Sequence, residues 1–424
     1  MSLPQVRLGY RVEELKTGPF GSALSSGEYS DEGVPLVNPS DLRAGRIWPE
    51  SAVKVPETVA VRMAAYRVQS GDLLLGRRGE LGRYGIVGSA EVGFLCGTGC
   101  LLVRPGAALS QQYLGYVLET ATARDWLSLQ SVGSTMENLN EAILSRLPIP
   151  NLSFDKQLGI ANFLDEQMAR IDALITEKER LSERLRELHL SSLWQQVTKG
   201  VQDAPMQASG VEWIGECPRH WNVMAIKWLT PVLRGASPRP IDDPKYFDDN
   251  GEYGWVRIAD VSASNGLLMS TEQQLSALGA SLSVKREPGD LFLSIAGTVG
   301  KPCIAGIKCC IHDGFVWFPS VGHALLRDWL FAIFESGFAY AGLGKMGTQL
   351  NLNTDTVGSI RIPVPPEAEM AQILEQIASA KAANHSLRNH VEEHIARLRE
   401  YRSSLISAAV TGQLDLSTFK KAVQ

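Results

Sequence analysis

The chain is 424 residues long, enough for roughly two to four domains, and its 44% hydrophobic content and mean hydropathy of −0.05 describe a well-packed soluble protein. No apolar run is long enough to cross a bilayer, and the opening MSLPQVRLGYRVEE lacks a signal peptide's apolar core, so a cytoplasmic protein with no membrane partner is expected. The formal net charge of −5 excludes a strongly basic nucleic-acid-binding domain: residues 1–150 hold 14 Lys/Arg against 15 Asp/Glu, and residues 208–365 hold 13 against 15. Any DNA contact must therefore come from basic residues gathered on one face, or from a partner subunit.

Residues 1–150 read as a first block in which Gly and Pro break short apolar runs. GVPLVNPSDL (33–42), GDLLLGRRGELGRYGIV (71–87) and CLLVRP (100–105) have the look of strands and turns. QQYLGYVLETATARDWLSLQ (111–130) reads as one helix, with Tyr113, Leu114, Val117, Leu118 and Trp126 near one face. GSTMENLNEAILSRLPIP (133–150) closes the block with a polar cluster ahead of a short strand.

Residues 151–202 follow as a spacer helix without an internal Pro from Asp155 to Gly200. With Leu164 at heptad position a, its a and d sites are Leu164, Gln167, Ile171, Leu174, Lys178, Leu181, Leu185 and Leu188, a narrow apolar seam. At 1.5 Å per residue the Asp155–Gly200 stretch spans about 65 Å. Residues 203–365 hold a polar linker, the Trp-rich segment VEWIGECPRHWNV (211–223) and a second block. A second spacer helix (366–412) and a tail (413–424) end the chain.

The two halves repeat each other. LRELHLSSLWQQVT at Leu185 returns as LREYRSSLISAAVT at Leu398, an offset of 213, which places Ile377, Asn384, Leu387, Val391, Leu398 and Leu405 on the second seam. GDLLLGRRGELGRYGIV returns as GDLFLSIAGTVGKPCIA (289–305) at an offset of 218, so that Gly82 meets Gly300 and Arg83 meets Lys301. YGWVRIADV (253–261) parallels VPLVNPSDL, and GTQLNLNTDTVGSIRIPVP (347–365) parallels GSTMENLNEAILSRLPIP. The fold class is α+β, with block and helix alternating in a pseudo-two-fold internal repeat. The likeness is strong in the helices and in the framing strands and weak inside the blocks, as suits two related modules with different ligands.

These features resemble the specificity (S) subunit of Type I restriction–modification systems: the half-repeat, VEWIGECPRHW before the second block, the GDLLL and GDLFL strands with their glycine turns, IPVPPEAEMAQILEQI leading into a helix, and the ending LREYRSSLISAAVTGQLDL. The resemblance implies two target recognition domains separated by two long antiparallel coiled-coil helices. It implies double-stranded DNA as ligand, read as an asymmetric bipartite site. The helices would act as a ruler and dock two methyltransferase (M) subunits, with restriction (R) subunits joining through the complex. It also implies a non-catalytic chain without cofactors of its own, adenosylmethionine, ATP and magnesium residing on the partner subunits.

Candidate DNA-contacting residues follow from position. Arg77, Arg78 and Arg83 occupy the glycine-rich turn after a strand, from which side chains reach phosphate or guanine, with Lys301 and Arg257 as counterparts in the second block. Asn138, Asn140, Gln349, Asn351 and Asn353 lie in polar loops and are of the type that pairs with adenine edges. The alternative is solvated surface charge for the arginines and turn or helix caps for the asparagines. Lys178 and Asn384 sit at seam positions where polar residues fix helix register, or are tolerated near water.

Other chemistry fits poorly. LCGTGC (95–100) is followed by an apolar run rather than by the helix start an anion-binding loop needs, and NPSDL (38–42) lacks the aromatic that would stack on a flipped base. GTVGKP (297–302) has Ile295 where a phosphate loop needs its first Gly and Pro302 in place of Ser/Thr. Cys96, Cys100, Cys217, Cys303, Cys309 and Cys310 read as reduced, packed thiols, with a metal set of Cys303, Cys309, Cys310 and His312 as the alternative. A coiled-coil adaptor for protein or carbohydrate ligands, favoured by the near-neutral blocks, is the competing function.

Overall fold

The computed structural model describes residues 3–19, 24–43, 45–49, 52–78, 82–131, 139–319, 324–340 and 352–414. Backbone contacts divide it into two compact units, residues 1–179 with 392–424, and residues 180–391. Each unit holds one β-rich block and one stretch of each long helix.

In the first unit a four-stranded antiparallel sheet runs in the order Val12–Thr17, Cys100–Pro105, Leu73–Gly76, Tyr84–Ile86. Alternate residues of a strand point to opposite faces. Leu73, Leu75, Leu101 and Val103 therefore join a core with Tyr113, Leu114 and Val117, while Leu74 and Leu102 join a separate one with Val37 and Cys96. Burial on both faces explains why the LLL and CLLV runs are apolar at every position. A three-stranded sheet, Val53–Val55, Val34–Val37, Leu95–Cys96, contributes a parallel pairing of Leu36 with Leu95.

Residues 111–130, expected as one helix, form two, Gln111–Glu119 and Ala121–Gln130. Thr120 between them is extended (φ −69°, ψ 143°), and its hydroxyl oxygen accepts the Ala123 N–H at 3.3 Å. The periodicity hid this break because both helices bury residues in the same core, Tyr113 and Val117 from one, Ala123 and Leu127 from the other.

The second unit has a five-stranded sheet in the order Leu233–Arg234, Phe315–Trp317, Leu291–Ser294, Pro302–Ala305, Leu267–Leu268. A four-stranded sheet runs Gln273–Leu275, Tyr253–Val256, Cys309–Ile311, Val284–Arg286, with the central pair parallel. The GD hairpins of the two units share one register: Leu73 pairs with Ile86 and Leu75 with Tyr84, as Leu291 pairs with Ile304 and Leu293 with Pro302. In the linker the Trp213 indole donates to the Arg361 carbonyl at 3.1 Å, and Trp221 packs edge-on against Trp329 at 6.0 Å, so the Trp-rich segment is fastened to the second block.

The long helices are Phe154–Lys199 and Glu367–Val410. The first ends at Gly200, whose φ of +73° only glycine adopts without strain. Within the first unit they are antiparallel: Arg399 pairs with Glu179 at 2.8 Å, and Arg402, further along, reaches back to Asp172 at 3.1 Å. Arg402 also clamps Glu119 of the block at 2.8 Å. Leu164, Met168 and Ile171 share the core with Leu405, Ile406 and Ala409. Within the second unit Leu193 and Val197 share a core with Ile373 and Ile377, and the Asn384 amide donates to the Leu185 carbonyl at 2.9 Å.

The seam differs from the expected one. Leu174, Leu181 and Leu188 on the central helix and Leu387 on the C-terminal helix are exposed, at 51%, 45%, 51% and 55%. The covered line keeps the expected a positions, Leu164, Ile171, Lys178, Leu185 and Ile377, Asn384, Val391, Leu398, Leu405, all buried or half-buried. Its other residues are the e positions, among them Met168, Ile175 and His189, and on the second helix Lys381, Ile395 and Arg402. A stripe of a and d and a stripe of a and e have the same 3.5-residue period, so a lone helix does not reveal on which side of a its partner lies.

Candidate nucleic-acid interface

In each block a short cap element and the glycine turn come together at the end of the GD hairpin. In the first, Val34–Val37 runs into Asn38, whose backbone N–H donates to Asp41 Oδ2 at 2.8 Å. In the second, Tyr253–Val256 runs into Arg257, whose N–H donates to Asp260 Oδ2 at the same 2.8 Å. NPSD is thus a capping element, and its counterpart is RIAD. By this frame Arg257 corresponds to Asn38 rather than to an arginine of the turn.

The turns match as well. The Arg77 N–H donates to the Gly99 carbonyl at 2.9 Å, and that of Ile295 to the Gly314 carbonyl at 2.8 Å. Gly82 and Gly300 take φ of +86° and +84°, a region closed to most side chains. The Arg83 guanidinium donates to the Pro39 carbonyl at 3.3 Å, tying turn to cap, and in the second block Gly297 lies against Ile258 of the cap helix. At these described positions the backbone matches, but the side chains differ: Arg77 and Arg78 in one block, Ile295 and Ala296 in the other.

Arg77 is buried, and burial together with the adjacent Arg78 charge lowers its pKa. Arg78 is exposed, as is Lys301 in the second block. Arg257 is held by carboxylates, with Glu272 and Asp260 as partners, and these raise its pKa. Asn140 and Asn353 are N-caps: their Oδ1 atoms accept the N–H of Ile143 at 2.9 Å and of Thr356 at 2.8 Å. A bidentate adenine contact needs both amide atoms, and the cap uses the oxygen, so in both residues the capping alternative is the one seen. Asn138, Gln349 and Asn351 lie outside the described residues.

Sequence reasoning missed Arg43 and Arg46. The hairpin of Leu42–Arg43 and Arg46–Ile47 lies beside the GD hairpin, with the Ile86 N–H donating to the Gly45 carbonyl at 3.0 Å. It thus adds two exposed arginines to the cap and turn of the first block. Their only signal was DLRAGR directly after the cap, more than 30 residues before the turn.

The suggested metal set does not converge. Cys309 and Cys310 are neighbours on one strand and enter different cores, Cys309 with Cys303 and Cys310 with Trp255. Burial pushes the Cys309 thiol up to about 12 and those of Cys303 and Cys310 to about 11, so all three remain protonated. Among the described residues no group of three or more His, Cys, Asp or Glu is placed to hold a metal ion, and no helix is long and apolar enough to cross a membrane. LCGTGC joins the strands Leu95–Cys96 and Cys100–Pro105, with no helix start behind it.

Paired β-rich blocks on duplicated helices, each with a basic or capped turn at its edge, define a class of modular recognition proteins, and comparison with known proteins agrees. Residues 18–183 match the Type I restriction modification DNA specificity domain. The chain is 20% identical over 410 residues to the Type I restriction enzyme EcoKI specificity subunit of Escherichia coli K12, covering 91% of this chain and 83% of that one. It is 22% identical over 403 residues, with the same coverage, to the StySPI specificity subunit of Salmonella potsdam. Among solved structures, a chain from a study of the assembly and conformational transition of the type I R-M system has a similar fold, with TM-score 0.73 at 17% identity over 97% of this chain and 98% of that one. The HsdS subunit from Thermoanaerobacter tengcongensis has TM-score 0.50 at 17% identity over 97% of each. Residues 18–183 thus carry the Type I restriction modification DNA specificity domain, and over most of its length the chain is similar to specificity subunits of Type I restriction–modification systems.

Proposed function

We propose that this chain reads an asymmetric, bipartite sequence in double-stranded DNA, one half-site per block, and scaffolds two methyltransferase subunits, with restriction subunits recruited through the complex. The chain contributes specificity, and the chemistry belongs to its partners. Residues 1–150 and 203–365 serve as the recognition domains, linker included, and residues 151–202 and 366–412 as the spacer helices. One observation carries the reading: hairpin register, capping Asp and the positive-φ Gly82 and Gly300 match in the two blocks, while the more outward residue after the strand changes from Arg78 to Ala296. A common frame with unlike contact residues is what reading two unlike half-sites requires.

The exposed d positions support the second part. Leu174 and Tyr401 are exposed in the first unit, and Leu181, Leu188 and Leu387 in the second. Leu174 and Leu387 are 213 apart, as are Leu188 and Tyr401, so the repeat offers one apolar stripe twice, suited to two copies of one partner. The test is footprinting of the complex assembled with its methyltransferase subunits, with methylation mapping of the host genome. Protection of two short unlike sequences flanking an unread gap is expected. An assembled complex that protects no bipartite site defeats the reading.

A further inference from the structure

Near its start each block has a short strand that runs into a single tight helical turn: Gln5–Arg7 into Leu8–Tyr10, and Asn222–Ala225 into Ile226–Trp228. The turns are 218 residues apart, the offset of the GD hairpins. Their first residues, Leu8 and Ile226, are fully buried. The same two hydrogen bonds hold each turn. The Leu8 N–H donates to the Leu147 carbonyl at 2.9 Å, and that of Ile226 to the Ile360 carbonyl at 3.0 Å. The Arg11 N–H closes the first turn on the Leu8 carbonyl, and the Leu229 N–H closes the second on the Ile226 carbonyl, both at 2.8 Å. The third residue stands outward. Tyr10 is 77% exposed and Trp228 76%, and among the described residues no other Phe, Tyr or Trp is as exposed.

The residues beneath the turn have exchanged places between the blocks. In the first, Gly9 lies against Ser145 of the short helix Glu141–Ser145, and a Cβ there would stand 3.0 Å from the Ser145 Cβ. In the second, Lys227 replaces Gly9, and Gly358 of the helix Thr354–Ser359 replaces Ser145, with the Lys227 Cβ 3.5 Å from a Cβ built at Gly358. The glycine has changed sides, and the close approach is kept. The neighbouring charge has changed sides too. Arg7 pairs across the strands with Pro148, and at the same place Ala225 pairs with Arg361. Both arginines are exposed, Arg361 also donating to the Val223 carbonyl at 3.4 Å. A single exposed aromatic is ordinary on a protein surface. Two at one structural position, each with an arginine beside it and the same support beneath, are not scattered residues.

We propose that this turn is a docking point for the methyltransferase subunit, one copy on each block, with Tyr10 or Trp228 seated in an apolar notch of that subunit and the adjacent arginine meeting a carboxylate at the rim. The proposal rests on the docking part of the function above and adds a second point of attachment to the helix stripe. The blocks differ at the turn assigned to DNA, Arg78 against Ala296, so a feature common to both faces something met twice in one form. Tyr, Trp and Arg are the side chains that anchor protein–protein interfaces, whereas phosphate contacts would use the cations and leave the exposed rings idle. Position agrees. The Leu139 N–H donates to the Arg77 carbonyl at 3.0 Å, and the short helix that follows leads to Gly9, so the docking turn lies about 10 Å along that helix from the DNA-reading turn. An enzyme that modifies a base in the half-site must sit in that neighbourhood.

The experiment titrates the methyltransferase subunit into the full chain and follows each binding step by native mass spectrometry, for wild type, Tyr10→Ala, Trp228→Ala, both together, and Trp228→Tyr. DNA binding of the assembled complexes is measured in parallel by anisotropy. Both side chains are about three-quarters exposed, so the melting temperature should not move. Each alanine variant is expected to weaken one of the two binding steps about thirtyfold and the double variant both, while Trp228→Tyr stays within about threefold of wild type. A double variant that binds two subunits with undiminished affinity would overturn the proposal. A loss confined to DNA affinity would overturn it in favour of the DNA backbone as occupant. A wild-type chain that binds no methyltransferase subunit would defeat the docking function itself, a result distinct from either.

Discussion

Arg78 and Ile295–Ala296 show how much a single position in the frame decides. Arg78 is exposed at the edge of the first block, so its loss should leave the fold intact, because surface substitutions of this kind fall within about 0.5 kcal/mol. Arg78→Ala is expected to weaken DNA binding by the assembled complex by about 1–3 kcal/mol and to relax only the half-site read by the first block, as measured by anisotropy on base-substituted duplexes. A different single-residue effect concerns pH. The His312 ring packs against Phe315 at 4.6 Å and Trp255 at 5.7 Å, and its Nδ1 accepts the Gly314 N–H at 2.8 Å. Burial lowers its pKa, with Asp313 opposing weakly. The folded value lies below the unfolded value of about 6.5, so the unfolded chain takes up the proton first, and stability that is whole above that pH is lost as pH falls. Urea unfolding of the second unit should show a falling midpoint from about pH 7 to pH 5, and His312→Asn should flatten that fall. At this scale the sequence was readable where residue type meets geometry, as in Gly82 and Gly300. It was unreadable where the choice is between two uses of one side chain: Asn140 and Asn353 are of the type that reads adenine, and only the position of the next helix N–H shows that they cap.

Among the elements, the helices carry the clearest sequence signal and the clearest error. Period and charge pattern located both to within a few residues, because a 3.5-residue repeat survives any detail of packing. The choice of flank did not survive, because Ile175 at e and Leu174 at d are both apolar, and which of them is covered depends on where the partner helix and the block lie. The leucines left over are the more informative ones. Replacing Leu174 and Tyr401 together by Glu should leave the melting temperature nearly unchanged, since both are about half exposed. The same change should reduce the methyltransferase subunits bound per chain from two to one in native mass spectrometry. Retention of two would place the docking surface elsewhere. The sheets were legible as short runs between Gly and Pro, and the matched hairpins followed from the offset of 218. The break at Thr120 was not legible, since a threonine is as much at home inside a helix pattern as at its cap.

For the whole molecule, the repeat itself was the most legible feature, because duplicated sequence reports duplicated structure without any physics of packing. Its functional corollary is modularity. Exchanging residues 208–365 for the corresponding block of another specificity subunit should change one half-site and leave the other unaltered, as read by methylation mapping. A change in both half-sites would mean that the blocks do not read independently. The sequence order, block–helix–block–helix, does not show that the compact units cut across it. The first unit takes residues from both the start of the chain and residues 392–424, whereas the second is drawn from the single run 180–391.

That division has a consequence for synthesis. The core around Tyr113 and Leu164 is closed by Leu405, Ile406, Ala409 and Val410, and the Tyr113 hydroxyl donates to the Val410 carbonyl at 3.3 Å. A growing chain therefore makes the first block early yet lacks the side chains that complete its core until residues 405–410 have been added, while the second unit, residues 180–391, has all of its own beforehand. A chain stopped after Val391 should keep slow hydrogen exchange in the second unit and lose it in the first. Uniform protection throughout that truncated chain would show that the first block closes without its last helix. The first block, though translated before the second unit, is thus the one whose core receives its closing residues later.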